Sequence, residues 1–432
     1  MKEEKKHSTK PPKSAVGWLD WFWALPLILF VFFYYKSVPA TVVSDPLLFV
    51  YLLIAAFIPL AIIELLRAPW RKSKPEYTPF VEIVARALLK LIGLFASLAA
   101  IAFLYWLFPE YERTYYDNFF AIVYIVLPWI PVCAIPYFVY AEWRLPKEDD
   151  GYMHASYLVL GKWKSIDWDI VKKHALSWLV KGFFIPIMIG DVVNNLDFLR
   201  AGNWNILEVS FIEGFLLLFS AFVYLELIYV AAGYIFTLKL LDTHIRVVDD
   251  TLFGWVIALI AYTPFLHLIW GRYLAYNTDG IGWIEAFSPH PTLMVVWGSV
   301  ILILVVLHFW SDACFGLRFS NLTNRGIITN GLYRYIKHPA YVIKNIRWWM
   351  VAVPFVSIST TEAFKLSLLL LGVNIIYTLR SYTEEKLLSR DPVYVAYARW
   401  MDNNGLLRFM GRWFPFMRYE WRLARWRKNG LM

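Results

Sequence analysis

From Trp18 to Thr378 the chain returns repeatedly to apolar runs of about 20 residues, the length that crosses a bilayer as a helix. In lipid every backbone amide must be satisfied inside the segment, so such runs fold as helices or not at all. Ten are identified: Trp18–Tyr35, Pro46–Leu66, Ala87–Phe108, Phe119–Tyr140, Leu176–Leu196, Val209–Thr237, Leu252–Trp270, Thr292–Trp310, Trp349–Ser357 extended back to Tyr341, and Glu362–Thr378. Only 17% of the 432 residues are charged, where a soluble domain carries about 25%. These features exclude a disordered chain and an ordinary soluble enzyme. Cys133 and Cys314 alone cannot build a disulfide framework or a thiolate metal site.

Basic residues alternate along the connections. The N-terminal tail has Lys2, Lys5, Lys6, Lys10 and Lys13, and the second, fourth and eighth connections hold six basic residues each. The first, third, fifth and seventh hold one each. Lys and Arg collect on the cytoplasmic side of short loops, so ten spans place both termini in the cytoplasm. The net charge of +9 then reports topology and lipid contact rather than nucleic acid. The run before Val38-Pro39-Ala40 is too long and too aromatic for a cleaved signal peptide. The expected fold is an all-α integral membrane protein. Its divisions are a tail over residues 1–17, a membrane domain over 18–285, a second membrane domain over 286–403 and a basic, aromatic interfacial segment over 404–432.

The first seven spans carry no named motif, but they hold polar groups at membrane depth: Glu64, Asp191, Asn194, Asn195, Glu213 and Glu226. A charge there needs a partner or a wet cavity. Asp191 and Glu226 are therefore candidates for a head-group cavity between the fifth and sixth spans, against the plainer reading of helix–helix hydrogen bonds. Ile166–His174 reads as an amphipathic surface helix. Asp242–Asp250 reads as a solvated loop, since no paired His or Glu-x-x-His spacing supports a metal.

The informative stretch is Arg318 to Arg399. Pro339 suits the first turn of a helix, whose N-terminus favours an anionic group. His338 and Glu384 are 46 residues apart, about the length of a two-span hairpin, so Arg334, Lys337 and His338 can meet Arg380, Glu384 and Glu385 at one membrane surface. Both signs of charge suit a zwitterionic cofactor. Positive-inside anchoring with salt bridges is the competing reading.

The run Gly331-x-Tyr-Arg-Tyr-x-Lys-His-Pro-x-Tyr341 and the later Arg380-x-x-x-Glu-Glu-x-x-Leu with Tyr394 and Tyr397 resemble the isoprenylcysteine carboxyl methyltransferase and phospholipid methyltransferase family. The resemblance covers about residues 292–400. Leu332 stands where the family often has Pro, Lys337 where Arg is common, and the long N-terminal region has no counterpart. The resemblance implies a membrane enzyme using S-adenosylmethionine, with a cytosol-facing cofactor pocket lined by Tyr333, Arg334, His338, Tyr341, Glu384 and Glu385. Arg380, Glu384 and Asn345 would form the catalytic set, and Arg347 and Trp348 would meet a lipid or lipid-linked acceptor. Related membrane reductases carry a similar His-Pro element, which keeps a nicotinamide-dependent reductase open. A non-enzymatic lipid transporter using Asp191, Glu213 and Glu226 is the third reading. Leu406–Lys428 holds seven basic residues and one acid, and reads as a segment touching anionic lipid. No targeting signal is seen, which favours a bacterial inner membrane over the endoplasmic reticulum.

Overall fold

A computed structural model describes residues 10–205 and 208–430. Lys2, Lys5 and Lys6 of the expected tail lie outside the described residues. In chain order the helices of the first half are α1 (Leu25–Tyr35), α2 (Asp45–Arg67), α3 (Phe80–Leu107), α4 (Asp117–Val126), α5 (Trp129–Arg144), α6 (Gly151–Val159), α7 (Trp168–Val193), α8 (Leu196–Ala201) and α9 (Phe211–Ile235). They are followed by α10 (Leu252–Leu259), α11 (Phe265–Tyr273), α12 (Trp283–Phe287), α13 (Pro291–Ala313), α14 (Pro339–Ala352), α15 (Thr360–Leu388), α16 (Pro392–Asn404), α17 (Met410–Trp413) and α18 (Tyr419–Lys428). The one sheet among the described residues is a two-residue pairing of Val247–Val248 (β1) with Thr323–Asn324 (β2).

Among the described residues six helices are long and apolar enough to cross a membrane: those containing α2, α3, α7, α9, α13 and α15. The α4–α5 pair, bent by 59° around Leu127-Pro128, makes a seventh if it is one span. The other three expected spans are shorter. The first is a 16-residue helical stretch, Asp20–Tyr35. The seventh breaks into α10 and α11 at Ile260–Pro264, where Pro264 interrupts the amide ladder. The ninth is α14, of 14 residues.

Local chemistry explains the boundaries. Helix α9 starts in a capping box: the Ser210 hydroxyl accepts from the Glu213 amide, and Glu213 accepts from the Ser210 amide at 2.9 Å. Glu213 is thus an exposed cap in the first turn of α9. Asp167 caps α7 by accepting from the amides of Asp169 and Ile170. The stretch expected as a surface helix is therefore mostly the opening of a 26-residue span. Pro339 occupies the first turn of α14, and Ser359 caps α15.

The main core gathers apolar side chains from both sides of residue 285, including Ile28, Phe49, Phe184, Tyr234 and Phe309. Helix α13 packs on α9 and on α14, so the C-terminal helices rest directly on the N-terminal ones. At Gly233 an added Cβ would stand 2.7 Å from the Phe319 carbonyl oxygen. This close approach brings the loop after α13 against α9.

Candidate functional site

The loop after α13 is held by two buried arginines. Arg318 donates from Nη2 to Glu64 Oε2 at 2.7 Å and from Nε to Oε1 at 3.2 Å. Both side chains are buried, so the Glu64 charge at the end of α2 has its partner. Arg325 is 2% exposed and meets backbone oxygens instead of a carboxylate: those of Thr243 at 2.7 Å, Gly233 at 2.6 Å and Phe319 at 2.8 Å, with Leu317. Burial and the neighbouring Arg318 pull its pKa down to about 9. With the β1–β2 pairing, these contacts lock Asp242–Asp250 against the loop, where Thr243 and Asp249 are buried. That stretch is a structural clasp rather than a solvated loop. The N-terminal segment joins the same assembly, with Ala15 donating to the Ile327 carbonyl at 2.9 Å and Thr329 to the Pro12 carbonyl at 2.6 Å.

Behind this clasp lies a cavity of about 540 Å³. Ligand pockets typically span about 300–1,000 Å³. One end lies where α14 begins and α15 ends. There Tyr341 donates to Glu384 Oε2 at 2.7 Å, and the His338 ring stacks at 5.8 Å on Tyr341. His338 Nε2 is buried without a hydrogen-bond partner. Burial lowers the His338 pKa from its ordinary value, which keeps the ring neutral near pH 7. Arg380 donates to Asn321 Oδ1 at 3.1 Å, and its guanidinium lies 5.1 Å from the Tyr377 ring, 5.3 Å from Tyr262 and 5.4 Å from Tyr341. This cage of phenol rings favours a cation.

The same cavity continues among α7, α9, α13 and α14. Asp191 there accepts from the Tyr115 hydroxyl at 2.6 Å, and Glu226 Oε2 meets His308 Nδ1 at 2.6 Å. Lys344, Arg347 and Asp312 line this part too.

Of the residues expected from the sequence, Tyr333, His338, Tyr341, Arg347, Arg380, Glu384, Asp191 and Glu226 line this one cavity. Four lie elsewhere. Arg334 sits on the short turn Gly331–Arg334 and is exposed, because that turn buries Tyr333 instead. Glu385 is 0% exposed on another face of α15, between Lys337 Nζ at 2.9 Å and Arg422, with the Tyr394 hydroxyl at 3.4 Å. Asn345 accepts from Asn374 at 2.8 Å, and Asn374 accepts from Trp349 at 2.7 Å, so the pair joins α14 to α15. Trp348 packs on Trp270 and Tyr377. The C-terminal segment packs into the protein. Tyr419, Leu423 and Trp426 form the buried stripe of α18, and Trp426 donates to the Tyr382 hydroxyl on α15 at 2.6 Å.

Sequence reading passed over Lys344, His308 and Asp312. Each carried a signal. Lys344 follows Tyr341 and precedes Arg347 at steps of three, one face of α14. His308 and Asp312 are four apart within an apolar span, again one face.

Residues 291–390 match the model of the isoprenylcysteine carboxyl methyltransferase (ICMT) family. The match runs from the start of α13 to just past the end of α15. No curated protein and no solved structure matches the chain.

Proposed function

We propose that this chain is a membrane methyltransferase that moves a methyl group from S-adenosylmethionine to a lipid or lipid-linked acceptor at the cytoplasmic face. The family match over residues 291–390 supports methyltransferase chemistry in general. The observation that carries the reading is the single cavity in which the ends of α14 and α15 meet side chains of α7 and α9. It offers a place for a cofactor at one end and an acceptor at the other.

The residues present fit the cofactor. His338 Nε2 is an unpaired buried group, and Glu384 is a carboxylate on the cavity wall. S-adenosylmethionine supplies an activated methyl on a sulfonium. The work of this chain is then to align the acceptor with that methyl and to exclude water. Glu384 is suited to an ammonium or to ribose hydroxyls. His338 and the first amides of α14 are suited to a carboxylate. Tyr341 holds Glu384 in place by its 2.7 Å hydrogen bond. Arg380 orients Asn321 and Tyr262 along the cavity wall.

The alternating loop charges support cytoplasmic termini, and ten membrane crossings if α1, α10–α11 and α14 enter the bilayer as shorter segments. The exposed Trp413, Phe414 and Phe416 beside the basic face of α18 support docking on anionic lipid. The test is calorimetric titration of S-adenosylhomocysteine into the detergent-purified full chain, beside Glu384→Gln and Arg334→Gln. Micromolar binding by wild type and Arg334→Gln, lost in Glu384→Gln, is expected. Folded wild type that does not bind S-adenosylhomocysteine, with or without added lipid, refutes the reading.

A further inference from the structure

The acceptor end of the cavity has its own chemistry. Lys344 and Arg347 lie one turn apart on α14 and both line it. By helix rise, Arg347 is about 9 Å further along α14 than Tyr341, away from the His338 end. Neither cation has a carboxylate within ion-pair distance among the described residues. Lys344 Nζ lies 5.4 Å from the Tyr377 ring and 5.6 Å from Trp348. The Arg347 guanidinium lies 5.7 Å from Phe219, and its Nη1 is buried with no hydrogen-bond partner. Two of the carboxylates that share this part of the cavity are already engaged: Asp191 by Tyr115 at 2.6 Å and Glu226 by His308 at 2.6 Å.

A buried guanidinium nitrogen without a partner costs free energy unless a ligand satisfies it. Glu226, His308 and Asp312 offer ligand atoms within 4.8 Å of one another, and a metal ion is one candidate. Glu226 and His308 already engage each other at 2.6 Å, however, and Lys344 and Arg347 line the same part of the cavity, so an added cation would face two fixed ones. The unmet demand is for an anion. Lys344 has three donors and Arg347 a planar fork of five. Two such cations one turn apart suit an oxoanion with three or more acceptor oxygens better than a two-oxygen carboxylate. The surroundings are apolar helices, so the anion enters attached to a lipid chain.

We infer that Lys344 and Arg347 form a subsite for the phosphate of a lipid-linked acceptor, set apart from the cofactor end of the same cavity. This inference deepens the proposed methyl transfer and rests on that reading for the word acceptor. The binding event itself can be tested alone.

The experiment titrates the full chain in detergent with short-chain phosphatidic acid. Parallel arms use diacylglycerol and a free fatty acid of the same chain length, and inorganic phosphate. The proteins are wild type, Lys344→Gln, Arg347→Gln and the exposed control Arg334→Gln, with thermal unfolding to establish that each is folded. Wild type and Arg334→Gln should bind the lipid phosphate, and each cavity variant should lose about tenfold or more, the worth of one charged hydrogen bond. Diacylglycerol and fatty acid should bind at least tenfold more weakly. S-adenosylhomocysteine affinity should stay unchanged in both cavity variants. Unaltered phosphatidic acid binding by folded Lys344→Gln and Arg347→Gln overturns the subsite. Equal binding of the neutral or carboxylate lipid overturns the phosphate assignment, and equal binding of inorganic phosphate overturns the lipid-linked part. Lipid phosphate binding without any S-adenosylhomocysteine binding sustains the subsite and removes the methyltransferase reading.

Discussion

Glu384 and Glu385 are neighbours in the motif, and the structure gives them opposite duties. Glu384 faces the cavity. Glu385 is 0% exposed and bridges three separate parts of the chain: Lys337 before α14, its own helix α15, and Arg422 on α18. Glu385→Gln removes the central charge and leaves two cations whose side chains are 17% and 15% exposed. Breaking a buried ion pair by removing one partner costs about 3–5 kcal/mol. The residual water around both cations places this case near the lower figure, about 3 kcal/mol, roughly a hundredfold in the docking equilibrium of α18. Trypsin reads this directly, because Arg418, Arg422, Arg425 and Arg427 become cleavable when α18 leaves α15. Glu385→Gln should therefore release the C-terminal segment about a hundredfold faster under limited proteolysis and melt earlier, while its uncleaved form binds S-adenosylhomocysteine as wild type does. Glu384→Gln should resist trypsin like wild type and fail to bind. Replacing the triad by Lys337→Met, Glu385→Leu and Arg422→Met together should restore part of the lost protection, since Asp402, which loses Lys337 at 3.6 Å, still accepts from the Tyr419 amide at 2.7 Å. A Glu385→Gln protein with wild-type protease resistance and abolished cofactor binding would refute this division of roles.

Arg318→Ala strands Glu64 in the interior and should lower stability by about 3 kcal/mol or more, read as a loss of folded protein on gel filtration; adding Glu64→Leu should recover part of it. Arg325→Lys cannot reach several carbonyls with one ammonium, so it should lower the melting temperature clearly although the charge is kept. His338 has a folded-state pKa below its ordinary value of 6.5, because burial disfavours the charged ring. As pH falls below 6.5 the unfolded chain takes up a proton that the folded chain does not, so stability should fall with pH there. His338→Gln should flatten that part of a melting-temperature profile, and an unchanged slope would show that other groups set it. Tyr341→Phe removes the hydrogen bond that holds Glu384 and should weaken S-adenosylhomocysteine binding about fivefold to tenfold at an unchanged melting temperature.

The helical membrane architecture was legible because apolar length alone decides it. Expected spans two, three, five, six, eight and ten each correspond to one long helix. The hairpin that brings residues near 338 and 384 together was legible from span arithmetic, since both must lie at one end of a two-helix turn. Which side chain of an adjacent pair looks inward was not. Glu385 turns from the cavity because Lys337 and Arg422 meet it elsewhere, and Arg422 is 37 residues away in a helix whose docking no local pattern announces. Arg334 is exposed for a similar reason, as its turn was shaped around Tyr333 and the Tyr397 hydroxyl that donates to the Tyr333 carbonyl. The deeper limit concerns α9 and α13. A helix apolar on all sides carries little signal of its rotation, so Glu226 and His308 cannot be paired from sequence although each stands out within its own span. Their meeting at 2.6 Å, in the cavity that Lys344 and Arg347 also line, gives α9 a part in the site that the family match, confined to residues 291–390, does not contain. The long N-terminal region thus supplies part of the cavity wall, through Asp191 on α7 and Glu226 on α9. Variants at Asp191 and Glu226 should then alter acceptor affinity while leaving cofactor affinity in place.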